Sequence, residues 1–315
     1  MSADGAAAGV RLADVRLRDP FLLQAEPGRY VLLGTSDEHV WGGPATGFDC
    51  WTSADLESWH GPVPAFRPPE GFWSSEQFWA PEVHPWAGRF AMVATFLDDA
   101  TRVRGVAVLM ADQATGPYVP WSDGPVTPRG LPCLDGTLHV DDDGSPWLVW
   151  SRGAEATDDL PALADGEMWA QRLTADLRSA TGEPVLLFRA STAAWSRPLR
   201  LPPGVEHSAL RLAEDPLFTD GPFLFRRPDD GALHLLWSSF GERGYAMGVA
   251  VSSGGVLGPW EQADEPLWPH DGGHGMLLVR PDAPDLLVLH APNDSPLERP
   301  LLAPVAWVDG RLTLV

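Results

Sequence analysis

The sequence predicts an all-β protein built from a repeated hairpin. Trp occurs 15 times and Gly and Pro 32 times each in 315 residues, and no long apolar run shows helical spacing. Short apolar runs instead follow Gly, Pro or Asp turns at five places in the chain. They begin at Gly28 (GRYVLLGTS), Gly88 (GRFAMVATF), Gly144 (GSPWLVWSR), Gly231 (GALHLLWSSF) and Ala283 (APDLLVLHAPN).

Each of these runs is preceded by another apolar run, one hairpin turn upstream. The preceding runs read DPFLL, PEVHPW, DGTLHV, DGPFLF and HGMLLV. Turn-rich segments that begin at Thr52, Met110, Leu173 and Val251 follow most hairpins and indicate a further outer strand. About four strands per unit, repeated roughly every 60 residues, are typical of a β-propeller blade. We therefore predict one domain over residues 1–315, a five-bladed β-propeller, because two stacked β-sandwiches would not explain the repeated hairpin.

The two ends of the chain are expected to close the ring. The last unit, which ends in PVAWVDGRLTLV, looks one strand short. The segment AAGVRLADV near the amino terminus, residues 7–15, has the composition of a short strand. We expect this segment to supply the strand that the last blade lacks.

Composition restricts the partners of the protein. The 43 acidic and 22 basic residues give a net charge of -21, which repels nucleic acid and anionic lipid and favours a neutral partner such as a small oligosaccharide. No export signal and no apolar run of membrane-spanning length is present, which predicts a cytoplasmic location. Cys50 and Cys133 show no paired spacing, which argues against a disulfide framework or a zinc site. The sequence does not indicate an oligomeric state.

An ionisable residue opens the first strand of each unit, where a propeller strand faces the central channel. Turn preference explains Asp or Gly at any one of these places, but not Glu or His. Like charges around one channel are costly unless they have a function, so the convergence of all five predicts a working site. The five residues are Asp19, Glu82, Asp135, Asp220 and His274.

Three or more carboxylates at one site suggest either a metal cage or a glycosidase. A glycosidase uses one carboxylic acid to protonate the leaving oxygen and one carboxylate to attack or to activate water. A third carboxylate keeps the acid protonated by like-charge repulsion. Carboxylates on blades that face each other across the channel leave room for a sugar and a water, which favours inversion, with a separation of about 6.5 to 9.5 Å.

The motifs RDPFLL, TSADLESW, FWAPEVH, LDGTLHVDDDG, TDGPFLF and GGHG together resemble glycoside hydrolase family 43. These are five-bladed propellers that cleave arabinofuranosides, xylosides and some galactosides with inversion. The resemblance implies that Asp19 is the general base and that Asp135 tunes and orients the acid. It implies that Asp220, where the family usually has Glu, is the general acid. Because Asp is one methylene shorter, either the sugar lies deeper or the acid function is impaired.

The resemblance and the residues together give further candidates. Glu82 is expected to contact substrate hydroxyls. Of Trp73 and Trp79, we expect one and not both to lie against the sugar, since most of the 15 Trp must pack between blades. Arg299 either hydrogen-bonds a substrate hydroxyl, pairs with a channel carboxylate or lies at the surface.

Two histidines have alternative interpretations. His274 in GGHG resembles a residue that family members keep near a central calcium, which it would reach through water. Alternatively, it hydrogen-bonds a channel carboxylate. His290 in LHAPN is expected to be a satisfied interior residue. We expect no cofactor to be required, and a structural calcium in the channel is compatible with the sequence.

These expectations predict an inverting exo-glycosidase that acts on short oligosaccharides derived from plant or cell walls. The substrates would contain arabinofuranose or a related sugar, with xylosides and galactofuranosides as the other choices. Because no export signal or appended binding module is recognised, the enzyme would trim imported fragments. The alternative from another class is a catalytically silent propeller that only binds sugar.

Overall fold

The computed structural model describes residues 9–315. Within this range regular structure is almost entirely β-strand, and helical structure is limited to short 3₁₀ turns. No helix in the described range is long and apolar enough to cross a bilayer. The 3₁₀ turns are Leu12–Asp14, Ala190–Thr192 and His207–Leu210.

The strands of the described range form five antiparallel sheets, which are the blades of the predicted propeller. Blade 1 contains β1 (Val10–Arg11), β2 (Arg18–Glu26), β3 (Arg29–Thr35), β4 (Phe48–Ser53) and β5 (Ser58–Phe66). Blade 2 contains β6 (Ser74–Trp86), β7 (Arg89–Asp98), β8 (Arg104–Ala111) and β9 (Val119–Pro120). Blade 3 contains β10 (Cys133–Val140), β11 (Pro146–Arg152), β12 (Glu167–Leu173) and β13 (Ala180–Arg189). Blade 4 contains β14 (Asp220–Arg226), β15 (Leu233–Gly241), β16 (Gly244–Ser252) and β17 (Trp260–Gln262). Blade 5 contains β18 (Gly273–Leu278), β19 (Asp285–Ala291), β20 (Arg299–Val308) and β21 (Arg311–Leu314).

The innermost strands of the five blades form a ring. Strand β2 contacts β6 and β18, β10 contacts β6 and β14, and β14 contacts β18. Each of the five hairpins that the sequence predicts supplies the first two strands of a blade. The five-bladed β-propeller is therefore confirmed, and the ring places the start of every innermost strand at one end of the channel.

The predicted closure of the ring is wrong. Strand β1 pairs with the outer strand β5 of blade 1, with Val10 opposite Trp59, and not with blade 5. Blade 5 is complete without it, because β20 and β21 form a hairpin around Asp309 and Gly310, which both have positive φ and suit a tight turn. Residues 7 and 8 of the predicted strand lie outside the described range.

Aromatic side chains fill the space between blades 1 and 2. The rings of Phe78 and Phe96 meet edge to face at 4.8 Å between centroids, and Phe48 and Phe66 pack against both. All four side chains are almost completely buried. Such packing fixes the angle between neighbouring blades and therefore the spacing of the side chains that meet at the channel.

Candidate active site

The first strand of every blade contains a β-bulge that places one residue in the left-handed region of backbone space, near the start of the strand in blades 1, 3, 4 and 5 and six residues after it in blade 2. The bulge residue has a φ between 45° and 56° in all five blades. Asp and Gly accept this conformation more readily than most residues. The five bulge residues are Asp19, Ala80, Asp135, Gly221 and His274.

In blade 2 the residue at the bulge differs from the predicted one, Glu82. The equivalent of Asp19 is Ala80, and Glu82 lies two residues further along β6. Glu82 is buried, and its Oε2 lies 3.0 Å from Nε2 of His84. Sequence alternation cannot locate this position, because a bulge adds one residue and shifts which side chains face the channel. The role of Glu82 in binding substrate hydroxyls stays a prediction.

In blade 4 the bulge residue is Gly221, and the predicted acid Asp220 precedes it by one position. Gly221 combines a φ of 45° with close packing, because a Cβ at this position would lie 2.7 Å from Cγ of His274. Only glycine satisfies both conditions. The Gly that follows Asp220 is therefore required by the approach of blade 5 and not by turn chemistry alone.

The bulge amides are held by side chains of the preceding blade. In four blades the bulge N–H donates to an acceptor near the end of the second strand of the blade before it, at 2.8 to 3.2 Å. We call these four contacts the bulge latches. They join Ala80 to Thr35, Asp135 to Thr95, His274 to Ser238 and Asp19 to His290.

Blade 4 has no such latch. Ser151 occupies the equivalent place in blade 3, but its hydroxyl faces Sδ of Met168 at 3.8 Å. The amide of Gly221 instead donates to Oδ2 of Asp135 at 3.4 Å and to Oδ1 of Asp220 at 3.1 Å. The blade that carries the predicted acid is therefore anchored to a carboxylate of the site itself.

Asp19 lies in a buried, cationic setting. The hydroxyl of Thr35 donates to its Oδ2 at 2.7 Å, while its Oδ1 lies 3.2 Å from Nδ1 of His274 and 3.4 Å from Nε of Arg18. Burial alone would raise the pKa of Asp19, but the charges of His274 and Arg18 outweigh it and lower this pKa below its ordinary value. Within the described residues no donor makes a hydrogen bond of good geometry to Oδ1. Asp19 is thus a buried carboxylate with a lowered pKa, which suits the predicted role of general base.

His290 fixes the backbone of Asp19. Its Nδ1 accepts the Asp19 amide proton at 3.2 Å, so that nitrogen carries no proton and Nε2 donates to Oδ1 of Asn293 at 3.2 Å. Burial, followed by the nearby charge of Arg18, lowers the pKa of His290 to about 3. The sequence-based expectation of a satisfied interior histidine is confirmed, with the addition that its partner is Asp19.

Asp135 and Asp220 lie side by side, since the amide of Gly221 donates both to Oδ2 of Asp135 at 3.4 Å and to Oδ1 of Asp220 at 3.1 Å. Burial raises the pKa of Asp135 well above its ordinary value, and the adjacent Asp220 raises it further by its charge and hydrogen bond. A coupled pair of this kind keeps one proton at a pH at which an isolated carboxyl group is ionised. The proton that an acid catalyst needs is therefore available in this pair.

His274 joins the two halves of the site. Its Nδ1 lies 3.2 Å from Oδ1 of Asp19 and 3.8 Å from Oδ2 of Asp135, so the imidazole lies beside both channel carboxylates. The hydrogen bond from His274 to a channel carboxylate stays a prediction. Ligand atoms of Asp135, Asp220 and His274 also lie within 4.8 Å of one another, a set that suits a cation. Calcium would take the carboxylate oxygens and reach the imidazole through water.

Arg18 and Glu298 lie beside Asp19 and were not among the residues predicted from the sequence. Nη1 of Arg18 lies 3.0 Å from Oε1 of Glu298, and both side chains are nearly buried. The pair spans from blade 5 to blade 1 and holds a positive charge beside Asp19. Arg18 lies in the quoted RDPFLL motif, but no local pattern points to a partner 280 residues away.

Aromatic side chains line the approach to Arg18. The guanidinium of Arg18 lies 5.0 Å from the ring of Trp41, which is 61% exposed and meets Trp79 edge-on at 5.8 Å. The Trp79 indole donates to the carbonyl of Val40 at 2.7 Å, which fixes the loop that carries Trp41. An exposed indole beside a polar site is a typical sugar platform. Trp41 was missed because its loop shows no repeat pattern.

The other predicted contacts lie in different settings. Trp73 is half-buried, with its ring 5.3 Å from Phe72 and 5.6 Å from Phe96 in the aromatic layer between blades. Trp79, and not Trp73, is thus the one placed beside Trp41. The guanidinium of Arg299 donates to the carbonyls of Pro296 and Glu298, and it is the neighbouring Glu298 side chain that reaches into the site.

Three carboxylates at one end of a propeller channel, one with a lowered and one with a raised pKa, define the site of a glycoside hydrolase. The family model for glycosyl hydrolases family 43 matches residues 12–312, so the chain belongs to this family. No curated protein sequence matches the chain significantly.

Solved structures agree with the family. The endo-arabinase from Bacteroides thetaiotaomicron VPI-5482 is 36% identical, with a TM-score of 0.82 over 97% of this chain and 100% of that chain. A thermostable family-43 glycoside hydrolase is 23% identical, with a TM-score of 0.75 over 95% and 92% of the two chains. An endo-1,4-beta-xylanase from Bacteroides thetaiotaomicron VPI-5482 is 22% identical, with a TM-score of 0.69 over 96% and 95%.

Proposed function

We propose that the protein is an inverting exo-glycosidase that releases a terminal arabinofuranose, or a related sugar, from a short oligosaccharide. One observation supports this most directly. Asp19, Asp135 and Asp220, which lie far apart in sequence, meet around His274 in one buried channel. A site with an ionised carboxylate on one side and a proton-sharing pair on the other has the parts that hydrolysis with inversion needs.

The proposed reaction assigns one role to each carboxylate. Asp19 accepts a proton from a water molecule, and the water oxygen forms a bond to the anomeric carbon. The bond from that carbon to the glycosidic oxygen breaks, and Asp220 gives its proton to this leaving oxygen. Asp135 shares the proton of the pair before the reaction and holds Asp220 in place. Charge is conserved, because Asp19 becomes neutral as Asp220 becomes ionised.

Arabinofuranose is the sugar that we favour. The 36% identical structure over nearly the full chain is named as an endo-arabinase, which supports an arabinose-containing substrate. Xylosides and galactofuranosides are the other candidates. A preference for one of these over the arabinofuranoside would contradict the proposed sugar but not the reaction class.

The exo mode is supported by the depth of the carboxylates. Asp19 is 7% and Asp135 5% exposed, so these two carboxylates lie deep in the channel. A chain end enters such a site more easily than the middle of a chain. Linear arabinan should therefore yield arabinose from the first time points, by chromatography, whereas early release of longer oligosaccharides would show endo cleavage.

A silent sugar-binding propeller is the second candidate, and one observation favours it. Asp220 is shorter than the usual Glu, and both of its oxygens already accept hydrogen bonds, from the hydroxyl of Tyr245 and the amide of Gly221. If Asp220 cannot reach the leaving oxygen, the site retains its ability to bind sugar and loses turnover.

We also propose that the reaction requires no metal. Thr35, Arg18 and His274 hold Asp19 directly, so protein groups alone orient the base. Calcium at the channel would act as a structural ion. Dialysis against a chelator should leave kcat unchanged, and a fall in Tm that calcium restores would identify such an ion. Loss of kcat on dialysis, restored by calcium, would contradict the proposal.

The decisive experiment compares 4-nitrophenyl α-L-arabinofuranoside, β-D-xyloside and β-D-galactofuranoside. Wild type should hydrolyse one of them, and Asp19→Asn should lower kcat by about 10²- to 10⁴-fold because it removes the general base. Asp141→Asn is the matched control, since Asp141 lies in the turn at the far end of the β10–β11 hairpin. It should retain wild-type activity.

The outcomes separate the two candidate functions. Turnover by wild type that survives in Asp19→Asn would contradict the assigned base. No turnover on any substrate, with arabinose or arabino-oligosaccharide binding still measured by calorimetry, would establish the silent binder.

A further inference from the structure

Tyr245 is held against the predicted acid by a short hydrogen bond. Its hydroxyl donates to Oδ2 of Asp220 at 2.6 Å, while the amide of Gly221 donates to Oδ1 at 3.1 Å. Tyr245 lies on β16, the third strand of blade 4, and its side chain spans the second strand to reach the first. Burial, then the charge of Asp220, raises the pKa of Tyr245 well above its ordinary value, so the hydroxyl remains a donor.

The packing of the ring leaves it little freedom. Tyr245 is 2% exposed and lies between Phe240, at 5.6 Å between centroids, and His290, which stacks at 5.8 Å with an angle of 18°. Gly273 provides the space, because a Cβ there would lie 2.6 Å from Cε1 of the ring. The direction of the hydroxyl is therefore set by the core and not by Asp220.

Asp220 needs such a partner more than the other channel residues. The bulge residues Asp19, Asp135 and His274 are positioned by latches from the preceding blade. The bulge of blade 4 has no latch, since Ser151 faces Met168. Asp220 also lies one residue outside the bulge, and its side chain is one methylene shorter than that of Glu.

We propose that Tyr245 is a positioning residue for the acid, which replaces the missing latch of blade 4 and aims the proton of Asp220 at the leaving oxygen. This inference rests on the proposed role of Asp220 as general acid. It also explains how an Asp serves where a longer Glu is usual: the side chain is held in one orientation by a rigid phenol.

The test uses substrates that differ in their need for an acid. A 2,4-dinitrophenyl glycoside of the sugar that the enzyme accepts has a leaving group that departs without protonation, whereas the phenyl glycoside needs the acid. Tyr245→Phe keeps the packed ring and removes only the hydroxyl. We expect kcat on the phenyl glycoside to fall by about 10- to 100-fold, with kcat on the dinitrophenyl glycoside changed less than about threefold and KM little changed on both.

Tyr118→Phe is the matched control. Tyr118 is also 2% exposed, and its hydroxyl donates a hydrogen bond to the carbonyl of Ala114 at 2.9 Å, in another blade interface. Its loss should affect the two substrates equally. Equal losses on both substrates in Tyr245→Phe, or no loss on either, would overturn the positioning role.

A second variant tests the same inference if Tyr245→Phe fails to fold. Phe240→Leu removes the aromatic ring that packs against one side of the Tyr245 ring, and it keeps the hydroxyl of Tyr245. It should show the same preference for the activated leaving group, with a smaller loss on the phenyl glycoside. Equal losses on both substrates in this variant would also contradict the inference.

Asp220→Asn separates this inference from the proposed function. If Asp220 is the acid, this variant loses activity selectively on the phenyl glycoside, by more than Tyr245→Phe does. Absence of that selectivity in Asp220→Asn would contradict the proposed acid itself. Selectivity in Asp220→Asn combined with none in Tyr245→Phe would reject only the role of Tyr245.

Discussion

His290 shows how one residue contributes to the site without contacting substrate. Its imidazole is completely buried at the contact between blades 5 and 1, accepts the Asp19 amide proton and stacks on Tyr245. One neutral ring thus supports both the base and the residue that holds the acid. The geometry requires the neutral form, because protonation of Nδ1 would remove the acceptor and place a positive charge near Arg18.

This requirement predicts a loss of stability in acid. The folded pKa of His290 is about 3, below the value of about 6.5 in an unfolded chain, so below pH 6.5 the unfolded state binds the extra proton. Its contribution to the free energy of unfolding is complete above pH 6.5 and falls by up to about 1.4 kcal/mol per pH unit between pH 6.5 and 3. Urea unfolding at several pH values gives the free energy of unfolding as a function of pH. Below pH 6.5 this free energy should fall less steeply with decreasing pH in His290→Asn than in wild type.

The pKa of Asp19 is lowered and that of Asp135 is raised, so the two carboxyl groups change the free energy of unfolding with pH in opposite directions. Only the difference between variant and wild type is therefore diagnostic. His60→Asn, at an exposed position on β5, serves as the control and should keep the wild-type slope. An unchanged slope in His290→Asn would show that the histidine is already protonated in the folded state.

At the scale of elements, the bulge latches connect each blade to the next. A latch satisfies a buried backbone N–H that the bulge withdraws from the strand ladder. Its acceptor comes from the second strand of the neighbouring blade, so one hydrogen bond positions a channel residue and fixes the angle between two blades. Blade 4 is the exception, and there the carboxylates and Tyr245 take over this function.

The latches predict unequal effects of two matched substitutions. Ser238→Ala removes the acceptor of the His274 amide, 2.8 Å away, and should cost about 1 to 3 kcal/mol of unfolding free energy because a buried N–H is left unpaired. Ser151→Ala, at the equivalent place in blade 3, removes a hydroxyl that holds no bulge amide. It should cost less than half as much in the same urea titration. Equal costs would show that the latches do not stabilise the fold.

At the scale of the molecule, the ring closes through side chains. No strand is shared between blades 5 and 1 within the described residues, and the two blades meet through β18 and β19 against β2. The contact includes the buried pair of Arg18 with Glu298 and the latch from His290 to Asp19. The contacts that close the propeller therefore also hold the predicted base in place.

Glu298→Gln tests this coupling. It leaves the buried Arg18 without one of its two carboxylate partners and should lower the free energy of unfolding by about 2 kcal/mol, together with kcat. Glu76→Gln is the control, since Glu76 pairs with Arg102 at the surface of blade 2, and its unfolding midpoint should not change measurably. A stable Glu298→Gln variant with full activity would show that closure does not depend on this pair.

Much of the fold and of the site follows from local sequence. The five hairpins can be predicted from turn residues and short apolar runs, because each such pattern lies within about 20 consecutive residues. Asp19, Asp135 and Asp220 were found because each opens a repeat, and the family motifs assign their predicted roles. The position of Glu82 could not be read this way, because a bulge changes the alternation of β6 without leaving a mark in composition.

The blade count, the family and the three carboxylates follow from the sequence, because turn chemistry and repeated apolar runs are local properties of the chain. The side chains that hold the three carboxylates are visible only in the folded ring. Tyr245, His290 and the Arg18–Glu298 pair act across blades or across the closed ring, between residues up to 280 positions apart. Such partners are selected by the burial of charge and by packing in a closed channel, and those forces exist only after the ring has formed.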